Sequence, residues 1–170
     1  MNNGTHGKDK LYITFSGDIE SIFKPLRQTG YIEVGILGQS KKTKKNEVPV
    51  AYYGSVHEFG DPRHNIPMRS FLRRPIQKNL PKILQKNFNK IMQRIYTGQA
   101  EKVLNDIGND ARNIVINSFE SHGADGEWAP LTEETIRRKT VNGRKGDAPL
   151  IDTGNLRLSI DYKVVLTKKG

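Results

Sequence analysis

Residues 75–96 read PIQKNLPKILQKNFNKIMQRIY, and the fold turns on this stretch. Ile76, Leu80, Ile83, Leu84, Phe88, Ile91 and Ile95 recur at three- and four-residue intervals, the spacing that gathers apolar side chains on one face of an α-helix. Lys78, Lys82, Lys86, Lys90 and Arg94 repeat every four residues beside them. At 3.6 residues per turn such a series drifts by about 40° per step, so the charges form a ridge winding obliquely round the helix. One helix over 75–96 satisfies both series. Pro75 suits its first turn, whereas Pro81 falls inside and is expected to kink the helix or delay its start.

Thr97-Gly98 breaks the pattern, and a second amphipathic helix follows. Its apolar face is Ala100, Val103, Leu104, Ile107, Ala111, Ile114 and Val115, running on to about Phe119. So short a connection predicts an antiparallel pair. On the N-terminal side, Leu11, Ile13 and Phe15 alternate with polar neighbours as a half-buried strand does, closed by Ser16-Gly17-Asp18. Ile19 to Gln28 reads as a short helix interrupted at Pro25, and Tyr31 to Leu37, β-branched and bounded by Gly30 and Gly38, as a strand. On the C-terminal side, a glycine-rich loop over 121–131 carries the only tryptophan, Trp128. Thr132 then caps a short helix that ends at the turn Val141-Asn142-Gly143. Leu156, Leu158, Ile160, Tyr162 and Val164 alternate as a terminal strand. The fold class expected is α+β: a small, mostly antiparallel sheet with the two longer amphipathic helices packed on one face, joined by long polar loops. Residues 1–10 read as a flexible tail, 11–166 as a single domain and 167–170 as a C-terminal tail.

The chain has 170 residues and a net charge of +10. Its apolar content, 35%, lies below the usual globular range of about 45–50%. Part of it is therefore expected to be solvated loop, or to be covered by a partner. The charge suits nucleic acid, an anionic membrane surface or an acidic protein face. No cysteine is present, which excludes disulfides, thiolate metal sites and cysteine nucleophiles. No apolar run approaches the roughly 18 residues of a membrane span, and the first ten residues carry no apolar signal core, so assembly in a cytosol away from membranes is expected. Lys41, Lys42, Lys44 and Lys45 crowd into five positions and read as a basic, extended loop.

Three groups of residues suggest chemistry. Asp152-Thr153-Gly154 after Pro149-Leu150-Ile151 resembles the aspartic-protease signature, whose aspartates share a proton. Only sixteen residues follow Gly154, too few to build the rest of such a cleft, so the triplet is expected to turn the chain into the last strand, with Asp152 as a cap. His57, His64 and His122 do not have ligand spacing: Gly60 and Pro62 deny a helix that would align the first two. No nucleophile–base set or phosphate-cradling loop stands out, and neither a cofactor nor enzymatic activity is expected. The stretch from Pro62 to Ala100 holds nine basic residues and no acidic one, so non-specific DNA binding through 63–94 is a second reading. The aromatic platform of a single-strand binder is missing from it.

Three segments together resemble the phage virion-morphogenesis and tail-completion family. Ala51-Tyr52-Tyr53-Gly54-Ser55-Val56-His57-Glu58-Phe59-Gly60 is similar to that family's aromatic-rich stretch closing in Glu-Phe-Gly. Ile66-Pro67-Met68-Arg69-Ser70-Phe71-Leu72-Arg73 resembles its Ile-Pro-x-Arg-x-Phe element, with Ser70 where a small residue or proline is usual. The third is Trp128-Ala129-Pro130-Leu131 with Thr135 and Lys139, then Leu150 to Leu156 and Ser159-Ile160. The likeness spans roughly residues 31–166 and does not extend to the lysine loop or the basic ridge.

The resemblance implies a small α+β subunit that forms a homo-oligomeric ring, commonly a hexamer, at the neck of a tailed bacteriophage. Such a ring ends tail-tube growth and docks tail to head, and its expected contacts are tail-tube proteins, head-completion or connector proteins and packaged DNA. In that setting Glu58, paired with Arg69 or Arg73 of a neighbouring subunit, is a candidate interface ion pair. Phe59, Phe71 and Trp128 are candidate anchors, because aromatic residues and Arg dominate interface energetics. The ridge Lys78, Lys82, Lys86, Lys90 and Arg94, lacking acidic partners nearby in sequence, is expected to face an acidic surface or DNA.

Overall fold

The structure, a computed structural model, describes residues 28–37, 48–97, 99–144 and 146–168. In chain order these form β1 (Gln28–Gly35), α1 (Val50–Phe59), α2 (Arg73–Tyr96), α3 (Ala100–Ser118), α4 (Glu133–Val141), α5 (Asn155–Leu158) and β2 (Asp161–Lys168). A 3₁₀ turn at Pro62–His64 joins α1 to the approach to α2. The strand expected at Leu11–Phe15, the helix from Ile19 (apart from Gln28, which opens β1) and the loop Lys41, Lys42, Lys44 and Lys45 lie outside the described residues.

The described sheet has two strands, antiparallel, with Tyr31 opposite Val165, Ile32 opposite Val164 and Val34 opposite Tyr162. Ile32, Val34, Tyr162 and Val164 are half-buried, while Glu33 and Lys163 face each other in solvent as an opposite-charge cross-strand pair. Helix α3 packs on both strands. The close approach needs glycine: a Cβ on Gly108 of α3 would sit 2.3 Å from the Tyr162 ring, and one on Gly30 of β1 2.9 Å from Leu104. Helix α2 packs on α3 in turn. The α+β class therefore holds, but the layering differs from expectation: α3 lies against the sheet and α2 against α3.

Val103, Ala111 and Val115 of α3 are buried, as their spacing requires, and Phe119 just past its end is fully enclosed. The core joins Val115 and Phe119 to Val50, Phe71, Trp128, Leu156 and Ile160. The Phe119 ring lies 5.4 Å from Phe71 and meets Trp128 edge-on at 5.8 Å, the geometry that the aromatic quadrupole favours.

Several expectations are corrected. Helix α2 starts at Arg73, neither delayed nor broken by Pro81, which lies on the exposed side where the carbonyl freed by its missing N–H can bond to water. Residues 50–59, given no element by the sequence reading, are helical. Leu156 and Leu158 belong to the single turn α5, not to a strand, because Leu156 and Ile160, four apart, share the core while Leu158 is 77% exposed. Strand β2 runs to Lys168, two residues into the expected tail. Thr132 does cap α4, its hydroxyl accepting from Thr135 N at 3.4 Å, and the chain turns at Asn142-Gly143.

Candidate functional site

Gly60, at φ 77°, ends α1 and turns the chain back through the Asp61–Ile66 bridge, so that Arg69 N donates to His57 O at 2.8 Å. This reversal brings Glu58 beneath the start of α2. Its carboxylate is buried and accepts from Ser70 Oγ (2.6 Å), Leu72 N (2.9 Å) and Arg73 N (3.1 Å). Ser70 Oγ accepts in turn from Arg74 N at 3.1 Å. A helix N-terminus leaves several N–H groups without partners and carries partial positive charge, so a buried carboxylate there satisfies both needs.

The second segment also fastens the third. Arg69 Nε donates to Ala129 O at 3.0 Å, Arg69 Nη2 to Pro130 O at 3.1 Å, and Trp128 Nε1 to Ser70 O at 3.4 Å. All three segments singled out in the sequence thus meet around a single cavity of about 660 Å³. The first supplies Tyr53 and His57, the second Arg69, and the third Leu131, Thr135, Lys139 and the run from Leu150 to Leu156. Arg138 and Arg144 complete its basic lining.

Two details mark this as a built feature. Lys139 is 8% exposed, yet its ammonium donates to Ala148 O and Ile151 O, both at 2.7 Å. Those bonds staple a loop in which Leu150 takes the left-handed conformation, φ 59°, a strain that concentrates at ligand sites. Burial lowers the Lys139 pKa, with Asp152 and Asp147 pulling the other way. Burial also lowers that of Arg69. The His57 imidazole is held below its ordinary value by burial and then by the Arg69 charge, and its buried Nδ1 has no hydrogen-bond partner among the described residues.

The expected site residues divide sharply. Glu58, expected at an interface, serves within its own chain as a buried cap, with Arg73 Nε of the same chain a distant 4.0 Å from its carboxylate. Arg69, Phe71 and Trp128 are 6%, 2% and 6% exposed and belong to the subunit's own interior. Phe59 alone among the aromatic candidates is on the surface, 63% exposed, with the Arg73 guanidinium 5.4 Å from its ring centre.

The basic ridge is corrected too, for its acidic partners lie within the chain. Lys86 bonds Asp110 at 2.8 Å, Lys90 and Arg94 reach Asp106 at 3.7 and 3.0 Å, and Lys78 pairs with Asp125. Rising numbers on α2 meet falling numbers on α3, as an antiparallel pair requires. Asn87, fully buried between the helices, donates to Asp110 at 3.0 Å. Burial would raise the Asp110 pKa, but these hydrogen bonds and the lysine charges bring it below the usual carboxylate value. Lys82 is exposed.

Asp152 pairs with Arg144 at the mouth of the cavity, and the hydroxyl of Thr153, not Asp152, accepts from Asn155 N at 3.4 Å before α5. His64 is engaged by Asp61 at 2.7 Å, away from His57. Among the described residues no three His, Asp or Glu side chains converge as metal ligands would, and no described helix is long and apolar enough to cross a membrane. Sequence reasoning missed Tyr53, Arg138 and Arg144 as cavity lining. It also missed Asp106 and Asp110, whose separation of four matches the ridge repeat and could have revealed the pairing. No protein-family model, curated protein or solved structure matches the chain.

Proposed function

We propose that this protein is a structural subunit of a tailed-bacteriophage virion, a tail-completion or tail-terminator protein that works by assembling rather than by catalysing. In this reading copies of the chain close into a ring at the head–tail junction, end tail-tube growth and dock to head-completion or connector proteins. Assembly takes place in the host cytoplasm.

The observation that carries the reading is an apolar line on the outer side of α2. Leu80, Leu84, Phe88 and Met92, each four residues from the next, are 42%, 44%, 58% and 41% exposed. The adjoining side of the helix, with Ile83 and Asn87 about a quarter-turn round from Leu84 and Phe88, is buried against α3. Single exposed apolar residues are ordinary, but a contiguous line of them marks an interaction surface. A second copy is the partner that the motif resemblance calls for, and a head-to-tail contact closes into a ring when its rotation divides a full turn.

The ridge lends the DNA-binding reading less support than its sequence suggests, since four of its five cations are engaged by carboxylates of this chain. Light scattering after size exclusion, with negative-stain imaging, tests the proposal. A concentration-dependent ring is expected, and Leu84→Ser with Phe88→Ser should leave a folded monomer. Two-fold dimers alone, or a ring indifferent to those changes, would count against it.

A further inference from the structure

The cavity between α1, α4 and the 148–156 loop is lined by two buried cations, Arg69 and Lys139, that no described carboxylate contacts directly; Asp147 and Asp152 act on Lys139 only from beyond ion-pair distance. Arg69 and Lys139, 6% and 8% exposed, bond to main-chain carbonyls, and no carboxylate among the described residues lies within ion-pair distance of either. Arg138 and Arg144 add two more charges, and the single acid of the lining, Asp152, is taken by Arg144. Buried charges are ordinarily paired, because carbonyl dipoles offset only part of the lost hydration. Lys139 has a third ammonium hydrogen, and Arg69 a second terminal nitrogen, with no partner among the described residues.

The remaining walls decide what kind of anion fits. Val50, Leu131, Leu150 and Leu156 face the same space. A strongly hydrated, doubly charged phosphate loses more hydration beside such walls than a singly charged carboxylate does. The volume lies in the range of cavities that enclose an organic ligand or a short stretch of peptide. We propose that this cavity receives a carboxylate flanked by apolar groups, its charge met by Lys139, Arg69 and Arg138 and its body by the leucines and Val50. Such a carboxylate belongs either to an acidic peptide segment of an assembly partner or to a free aliphatic acid. The proposal stands on the cavity and does not depend on ring formation.

Amide chemical shifts of the full-length protein test it at low salt with three probes: hexanoate, the blocked peptide Gly-Leu-Glu-Leu-Gly and inorganic phosphate. Saturable shifts at His57, Lys139 and Ile151 with either carboxylate, and none with phosphate, are expected. Tighter binding of the peptide assigns the polypeptide source; tighter binding of hexanoate assigns the small acid. Arg138→Gln, at an exposed position, should weaken binding by about threefold without moving the unfolding midpoint. Lys139→Met should abolish binding; should that variant fail to fold, the wild-type shift map and Arg138→Gln still decide. No saturable shift with either carboxylate, shifts confined to the α2 ridge, phosphate binding as tightly, or an unaffected Arg138→Gln would each overturn the proposal.

Discussion

Near Arg73, helix α2 is held by Glu58, Ser70 and the Phe71–Phe119–Trp128 cluster; near Phe88, the same helix is held by Asn87 and a row of solvent-facing ion pairs. At the first end each of the polar groups is buried and bonded, so a single geometry satisfies them all. At the second end charge pairing fixes the crossing of α2 over α3, but water competes for every pair and one side of the helix stays apolar and uncovered. The contrast separates two tasks within one element. The anchored end specifies the fold, and the open end carries the exposed apolar line on which the proposed assembly rests.

Mutations at the two ends should differ several-fold in their cost. Phe119→Ala, which empties the centre of the aromatic cluster, is expected to destabilise by about 4 kcal/mol in urea unfolding. Glu58→Ala should cost about 3 kcal/mol, because it strands buried donors at the helix start, and Glu58→Gln about half as much. A loss near zero for Glu58→Ala would erase the distinction between the ends.

A pH-dependent loss is expected from the cavity side of the anchored end. The unfolded chain protonates His57 near 6.5, whereas the folded imidazole stays neutral to lower pH. Stability from this group is therefore complete above 6.5, and declines as pH falls through that value until the folded ring itself takes a proton. Unfolding midpoints at pH 7.5 and 5.5 should differ in the wild type and differ less in His57→Asn.

At the open end, a double-mutant cycle on Lys86 and Asp110 should give a coupling of about 0.5 kcal/mol that shrinks with salt. A coupling of several kcal/mol would show that this end, too, is locked. Smallest of all, Leu84→Ser with Phe88→Ser should shift monomer stability by no more than about 0.5 kcal/mol, as surface changes do.

The residues show which parts of this were legible in sequence. Val103, Ala111, Val115 and Phe119 formed one apolar line, and the structure buries that line. Helix α2 was equally legible as a helix, but its apolar residues form two lines that diverge around it. Spacing does not say which line meets α3, so Leu80, Leu84 and Phe88 were assigned to the buried face and are exposed. Leu156, Leu158 and Ile160 satisfy a period of two and contain a pair four apart; packing chose the pair. The cavity was legible only as three separate motifs. Its cations are positioned by carbonyls of Ala129, Pro130, Ala148 and Ile151, and no pattern of side chains encodes a backbone acceptor.

Strand β1 pairs with β2 from Gln28 opposite Lys168 to Gly35 opposite Asp161, and every described helix lies between the two strands in sequence. That pairing has a kinetic consequence. The α2–α3 hairpin needs only a short loop to close, whereas the sheet must first bring together distant parts of the chain, so it is expected to form last. During synthesis at roughly 5–20 residues per second, β1 would wait on the order of ten seconds for its partner strand. During that interval the edge of β1 that β2 will pair is open to any other nascent chain. Once α3 has been made and has folded back with α2, it can cover a face of β1 and leaves only that edge to be closed by β2.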